Sequence, residues 1–168
     1  VDSNGEAGWE EAAGGALELY GENPSSPTAP DASGTNAVAI GDSAVASTSN
    51  SLSIGGFSDA TGSSSMAVGR LAQATGYSSN AFGLQANASG SYATALGRGS
   101  GAASISAGSG STSIGGSYAS GTDSLAAAIG TSSASYGATG ANSIAMGDRS
   151  SASGSRGIAI GGYGALAS

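Results

Sequence analysis

Asn36-Ala37-Val38-Ala39-Ile40-Gly41 alternates small and large side chains and ends on a glycine, and the chain repeats that arrangement along most of its 168 residues. The glycines are Gly41, Gly55, Gly69, Gly83, Gly97, Gly115, Gly130, Gly147 and Gly161, of which the first five fall 14 residues apart. Directly before them stand Ile40, Ile54, Val68, Phe82, Leu96, Ile114, Ile129, Met146 and Ile160, always large and apolar. The residues two and four places before each glycine are always Ala, Ser or Gly, as in Ala37 and Ala39 or Ser51 and Ser53. A strict short period of this kind means one structural unit stacked many times, not a globular domain built around a pocket.

Alternation with a period of two puts the large and the small class on opposite faces of a strand, and glycine then ends the strand. A second segment, small-x-Ala-x-Gly, follows in Ala72-Gln73-Ala74-Thr75-Gly76 and Ala86-Asn87-Ala88-Ser89-Gly90, and its glycine marks a second corner. Fourteen residues therefore predict two short strands and two tight corners, one flattened winding of backbone. Stacked in parallel register about 4.8 Å apart, nine windings make a rod of roughly 45 Å. The apolar residues before glycine are expected to form one inner stripe, the structural core column. The small face implies close approach of another backbone, either the opposite wall of the same winding or a neighbouring chain. Between Gly97 and Gly147 the spacing lengthens to 18, 15 and 17 residues, which predicts outward loops within 98–140.

Composition restricts the function classes. With 31 glycines, two Phe, one Trp and neither Cys nor His, the chain has little from which to build a compact centre. The net charge of −7 is gathered at the start, where Asp2, Glu6, Glu10, Glu11, Glu18, Glu22 and Asp31 have no basic companion. From residue 32 onward Asp42, Asp59, Asp123 and Asp148 balance Arg70, Arg98, Arg149 and Arg156, and there is no lysine. No basic patch is available for nucleic acid, and no apolar stretch long enough for direct membrane insertion occurs. Without His, Cys or Lys, the abundant serines have no activating base, so neither catalytic residues nor cofactor-binding or metal-binding residues are assigned. The isolated Asp residues suit turns. Arg98, Tyr118, Tyr136 and Arg149 remain as candidate contact residues, because Arg and Tyr are common in contact patches and these lie in or near the irregular windings. Residues 1–35 are read apart from the repeat, as an acidic segment with a strand at Ala16-Leu17-Glu18-Leu19-Tyr20 followed by a Pro-rich linker, and 36–168 as the repeat domain.

The unit, above all Asn36-Ala37-Val38-Ala39-Ile40-Gly41 and Asn142-Ser143-Ile144-Ala145-Met146-Gly147, resembles the YadA-like head repeat of trimeric autotransporter adhesins, which is also used in bacteriophage tail or virion fibres. The resemblance covers residues 36–168. It implies an all-β, left-handed parallel β-roll in each chain and a homotrimer of such rolls. It also implies an extracellular place on a bacterial surface or virion, and attachment to a host protein or glycan receptor. Two other classes remain beside it. A polysaccharide-cleaving β-solenoid would need several acids gathered in one groove, and an ice-binding solenoid would need Thr-x-Thr ladders in register.

Overall fold

The computed structural model describes residues 17–18, 28–97, 105–127, 136–162 and 164–168, and these form an all-β parallel solenoid. Two sheets run along it. The first holds β1 (Leu17–Glu18), β2 (Val38–Ile40), β3 (Leu52–Ile54), β5 (Met66–Val68), β7 (Asn80–Phe82), β9 (Thr94–Leu96), β11 (Thr112–Ile114), β13 (Leu125–Ala127), β15 (Ile144–Met146) and β17 (Ile158–Ile160). The second holds β4 (Asp59–Ala60), β6 (Gln73–Ala74), β8 (Asn87–Ala88), β10 (Ile105–Ser106), β12 (Tyr118–Ala119), β14 (Gly137–Ala138), β16 (Ser151–Ala152) and β18 (Leu166–Ala167). Every ladder is parallel and in register, as in Ile40↔Ile54↔Val68↔Phe82↔Leu96↔Ile114. At the amino-terminal end Leu17 pairs with Val38 and Glu18 with Ala39. Residues 28–35 already wind with the roll: Asp31 N donates to Ala44 O at 2.8 Å, and Ala32 is buried.

The coil of 14 is two copies of a unit of seven. From Gly34 to Gly97 a glycine stands every seventh residue, with Thr48 the one replacement. Two residues after each comes a left-handed residue, in the order Asn36, Ser43, Asn50, Phe57, Ser64, Leu71, Ser78, Gln85 and Tyr92, with φ between 51° and 59°. One residue further the chain closes a tight turn onto the carbonyl of the glycine position, as Ala37 N to Gly34 O at 3.1 Å and Ala44 N to Gly41 O at 3.2 Å. A non-glycine residue in this conformation costs about 1–2 kcal/mol. The parallel ladders and the buried stripe that follow every turn hold it in place.

Both glycine columns are needed because windings touch through them. A Cβ on Gly41, itself at φ 117°, would lie 2.8 Å from the carbonyl carbon of Gly55. On Gly62, whose backbone is unstrained, it would lie 2.6 Å from the carbonyl carbon of Gly76 and closer still to the oxygen. Thr48 occupies the second column while its Oγ1 donates to Gly62 O at 2.8 Å.

The interior corrects the sequence expectation. Ala39, Ser53, Ala67, Ala81 and Ala95 from the first sheet face Ala46, Ala60, Ala74 and Ala88 from the second, all 0% exposed. Four alanine rungs on one side and the same class on the other leave no room for a branched side chain. The small face is thus explained by the opposite wall of the same winding. The column Ile40, Ile54, Val68, Phe82, Leu96, Ile114, Met146 and Ile160 lies on the outer face instead: the first five are half-buried, and Ile160 is 65% exposed. Ile129 and Gly130 fall outside the described residues, and the register gives their place in the column to Ala127, between Ile114 and Met146. Buried serines are compatible with this interior where they close turns. Ser51 Oγ donates to Thr48 O, Ser58 Oγ to Gly55 O and Ser111 Oγ to Gly108 O, each at 2.7 Å.

Candidate functional site: two outer faces and two corners

On the two sheets +3 and +5 after each glycine position face the interior, so +4 and +6 face outward, while +1 and +2 form the corners. The two half-windings use them differently. On the first sheet, +6 is the large apolar column, and +4 reads Val38, Leu52, Met66, Asn80, Thr94, Thr112, Leu125, Ile144 and Ile158. That outer face is apolar along both of its columns except at Asn80, Thr94 and Thr112. On the second sheet, +6 reads Ser47, Thr61, Thr75, Ser89, Ala107, Ser120, Thr139, Ser153 and Ser168, a file of hydroxyls with a single alanine. Its +4 column varies through Val45, Asp59, Gln73, Asn87, Ile105, Tyr118, Gly137, Ser151 and Leu166.

The corners differ as well. Passing from the second sheet to the first, Ala74 to Phe82, Ala88 to Leu96, Ser106 to Ile114, Ala119 to Ala127, Ala138 to Met146 and Ala152 to Ile160 are each eight residues apart. Passing from the first sheet to the second, the separation is six from Val68 to Ala74 but ten from Leu96 to Ser106, five from Ile114 to Ala119 and eleven from Ala127 to Ala138. All of the irregularity expected within 98–140 is therefore taken up at one corner. Residues 98–104 and 128–135 of the two longer corners, Arg98 among them, lie outside the described residues.

The remaining contact candidates fall in three consecutive windings around the start of the second-sheet strands. Tyr118 lies half-buried in β12, Tyr136 packs against the alanine cluster, and Arg149 holds the left-handed position of its turn at φ 55°. Asp42 Oδ1 accepts from Thr28 N of the preceding winding at 2.8 Å, whereas Asp31 Oδ1 accepts locally from Ser33 N at 3.0 Å, so both acids are engaged by backbone amides. Among the described residues no group of three or more His, Cys, Asp or Glu side chains could hold a metal ion. Among the described residues no helix is long and apolar enough to cross a membrane.

The family model of the YadA head domain repeat matches residues 32–58, 60–79, 74–100 and 138–167, more than half of the chain. The chain belongs to the YadA head domain repeat family. The matches begin at Ala32, within the first stacked segment, and leave out residues 101–137, where the repeat spacing is irregular. Among curated proteins none matches the chain. The YadA head repeat is an adhesin-type structural module of surface fibres, not an enzyme family, and such domains associate with themselves.

One contact was not expected from the sequence. Tyr77 and Tyr92, 51% and 62% exposed, meet edge to face with ring centroids 5.4 Å apart at the corner of constant length. They sit at +1 of Gly76 and +2 of Gly90, one winding apart in the same glycine column, so spacing alone placed them on different ladders. Beside them on the second sheet, Asn87 Nδ2 donates to Gln73 Oε1 at 3.2 Å.

Proposed function

We propose that this chain is a segment of a homotrimeric, extracellular surface fibre, on a bacterial cell or a virion, that mediates attachment to a host cell or surface. The apolar outer face of the first sheet carries this reading. A roll that fills its interior with alanine leaves Ile40, Ile54, Val68, Phe82 and Leu96 only half covered, and Ile114 at 41%, Met146 at 38% and Ile160 at 65% exposure. Covering the rest of each such side chain contributes about 1 kcal/mol, and a stripe running the length of the rod adds these contributions together. A second and third copy of the same chain supply a matching stripe in the same axial register, as cyclic symmetry requires. The number three follows the family.

The opposite, hydroxyl-bearing face then points outward, with the receptor a protein or a glycan. A polysaccharide-cleaving spike has no support of its own, because Asp31 and Asp42 are engaged by backbone amides and Asp59 and Asp123 stand in separate windings. Multi-angle light scattering of the full chain tests the assembly and should return the mass of three chains. A single-chain mass at micromolar concentration would refute it.

A further inference from the structure

We propose that the corner bearing Tyr77 and Tyr92, with the adjoining strip of the second sheet, binds a neutral, extended polysaccharide strand laid along the fibre axis. This rests on the fibre reading only in taking the second sheet as the outward face.

Three observations converge on six residues. First, Thr75 and Ser89 belong to the hydroxyl file, and its chemistry is not dictated by backbone. The equivalent +6 position of the other half-winding, with the same turn and the same buried stripe, accepts Ile, Val, Phe and Leu. Nor is solubility the cause, since the neighbouring +4 column on the same face drifts through polar and apolar residues alike. Second, Gln73 and Asn87 make an amide ladder beside the file. With Gln73 Oε1 accepting from Asn87 and Asn87 Oδ1 buried, the ladder offers the exposed Gln73 amide N–H groups, donors that suit the hydroxyls of a pyranose. Third, Tyr77 and Tyr92 form an exposed edge-to-face aromatic pair at the end of the same strands, the two large aromatic side chains of that corner. Rings placed beside hydrogen-bonding side chains match a ligand with apolar C–H faces and polar edges.

Geometry selects the kind of glycan. Equivalent groups recur once per winding, about 4.8 Å apart, which is close to the advance of one sugar unit in an extended β-1,4-linked chain. A coiled or branched glycan has no such repeat. The six include no Lys, Arg, Asp or Glu, so there is nothing here to attract an anionic polymer.

The test uses the full chain on columns of microcrystalline cellulose and of chitin, with cross-linked dextran and heparin as comparators, and with cellohexaose as soluble competitor. Retention on cellulose or chitin, release by cellohexaose and none on dextran or heparin is the expected pattern. The double variant Tyr77→Ala/Tyr92→Ala should bind about tenfold more weakly. Thr75→Val/Ser89→Val, which keeps β-compatible side chains at both sites, should weaken binding without moving the melting temperature. Failure of wild-type protein to bind either neutral matrix, binding to heparin alone, or undiminished binding by both double variants overturns the proposal. Light scattering on the same samples separates the outcomes: a trimer that ignores both matrices refutes the glycan site and leaves the fibre reading standing, whereas a monomer refutes the latter.

Discussion

The two halves of each winding share one backbone device and wear opposite outer faces. Each has a glycine position, a left-handed residue two places on, and small buried residues at +3 and +5. Yet at +6 the first half carries Ile40, Ile54 and Val68 while the second carries Ser47, Thr61 and Thr75. What is common to both halves is what the fold requires, and what differs is what the outside is used for. The corners repeat this lesson. One keeps its length through every described winding, and the other absorbs every change in length, although both are built on the same turn.

The largest effect should come from the interior, where the halves are alike. Ala81→Leu and Ala74→Leu each force a branched side chain between walls spaced for alanine. Overpacking typically costs 1–3 kcal/mol, and with no neighbouring cavity to yield, the upper end or beyond is expected for both. Thermal melting would read this; one half tolerating leucine would show that its interior is looser than the other. A smaller effect of opposite sign should come from the turns. Ser64→Gly and Gln85→Gly relieve left-handed residues at φ 57° and 59° in the two different corners, and each should stabilise by about 0.5–1 kcal/mol. Equal gains support the seven-residue equivalence, and a loss at either corner breaks it. The finest distinction is among buried serines. Ser58→Ala removes the bond to Gly55 O and the one shared with the buried Ser53 hydroxyl and should cost about 1 kcal/mol or more. Ser65→Ala removes a hydroxyl that is buried with no hydrogen-bond partner, so it should leave the melting temperature level or raise it.

The sequence made the period, the two corners, the parallel stacking and the strand at Leu17–Glu18 legible, because a repeated glycine and an alternating stripe each have one local cause. Inside and outside were harder. Large apolar residues are interior by default, and that default placed Ile54 and its column in the roll. The clue lay in comparing halves: Ala or Ser occurs at +3 and +5 of both, whereas Ile or Phe occurs at +6 of only one, and a shared wall must be lined by the class found in both. Ile129-Gly130 carried the apolar-glycine signature, but neighbouring ladders place Leu125, Ala126 and Ala127 in register, and a pairing preference of that kind is not a local property. Of the candidate contacts, Tyr118, Tyr136 and Arg149 proved to lie in consecutive windings. The Tyr77–Tyr92 contact escaped notice because it joins two different turn positions across one winding.

The central claim is that one outer face is an interface between copies and the other is free, and paired substitutions at the same +6 position test it. Ile54→Asp puts a charge on the apolar face, where burial against a second copy would cost several kcal/mol, and Ser47→Asp puts the same charge on the hydroxyl face. Light scattering should show Ile54→Asp reduced to single chains and Ser47→Asp still trimeric. An Ile54→Asp protein that keeps the wild-type mass and melting temperature would contradict the account.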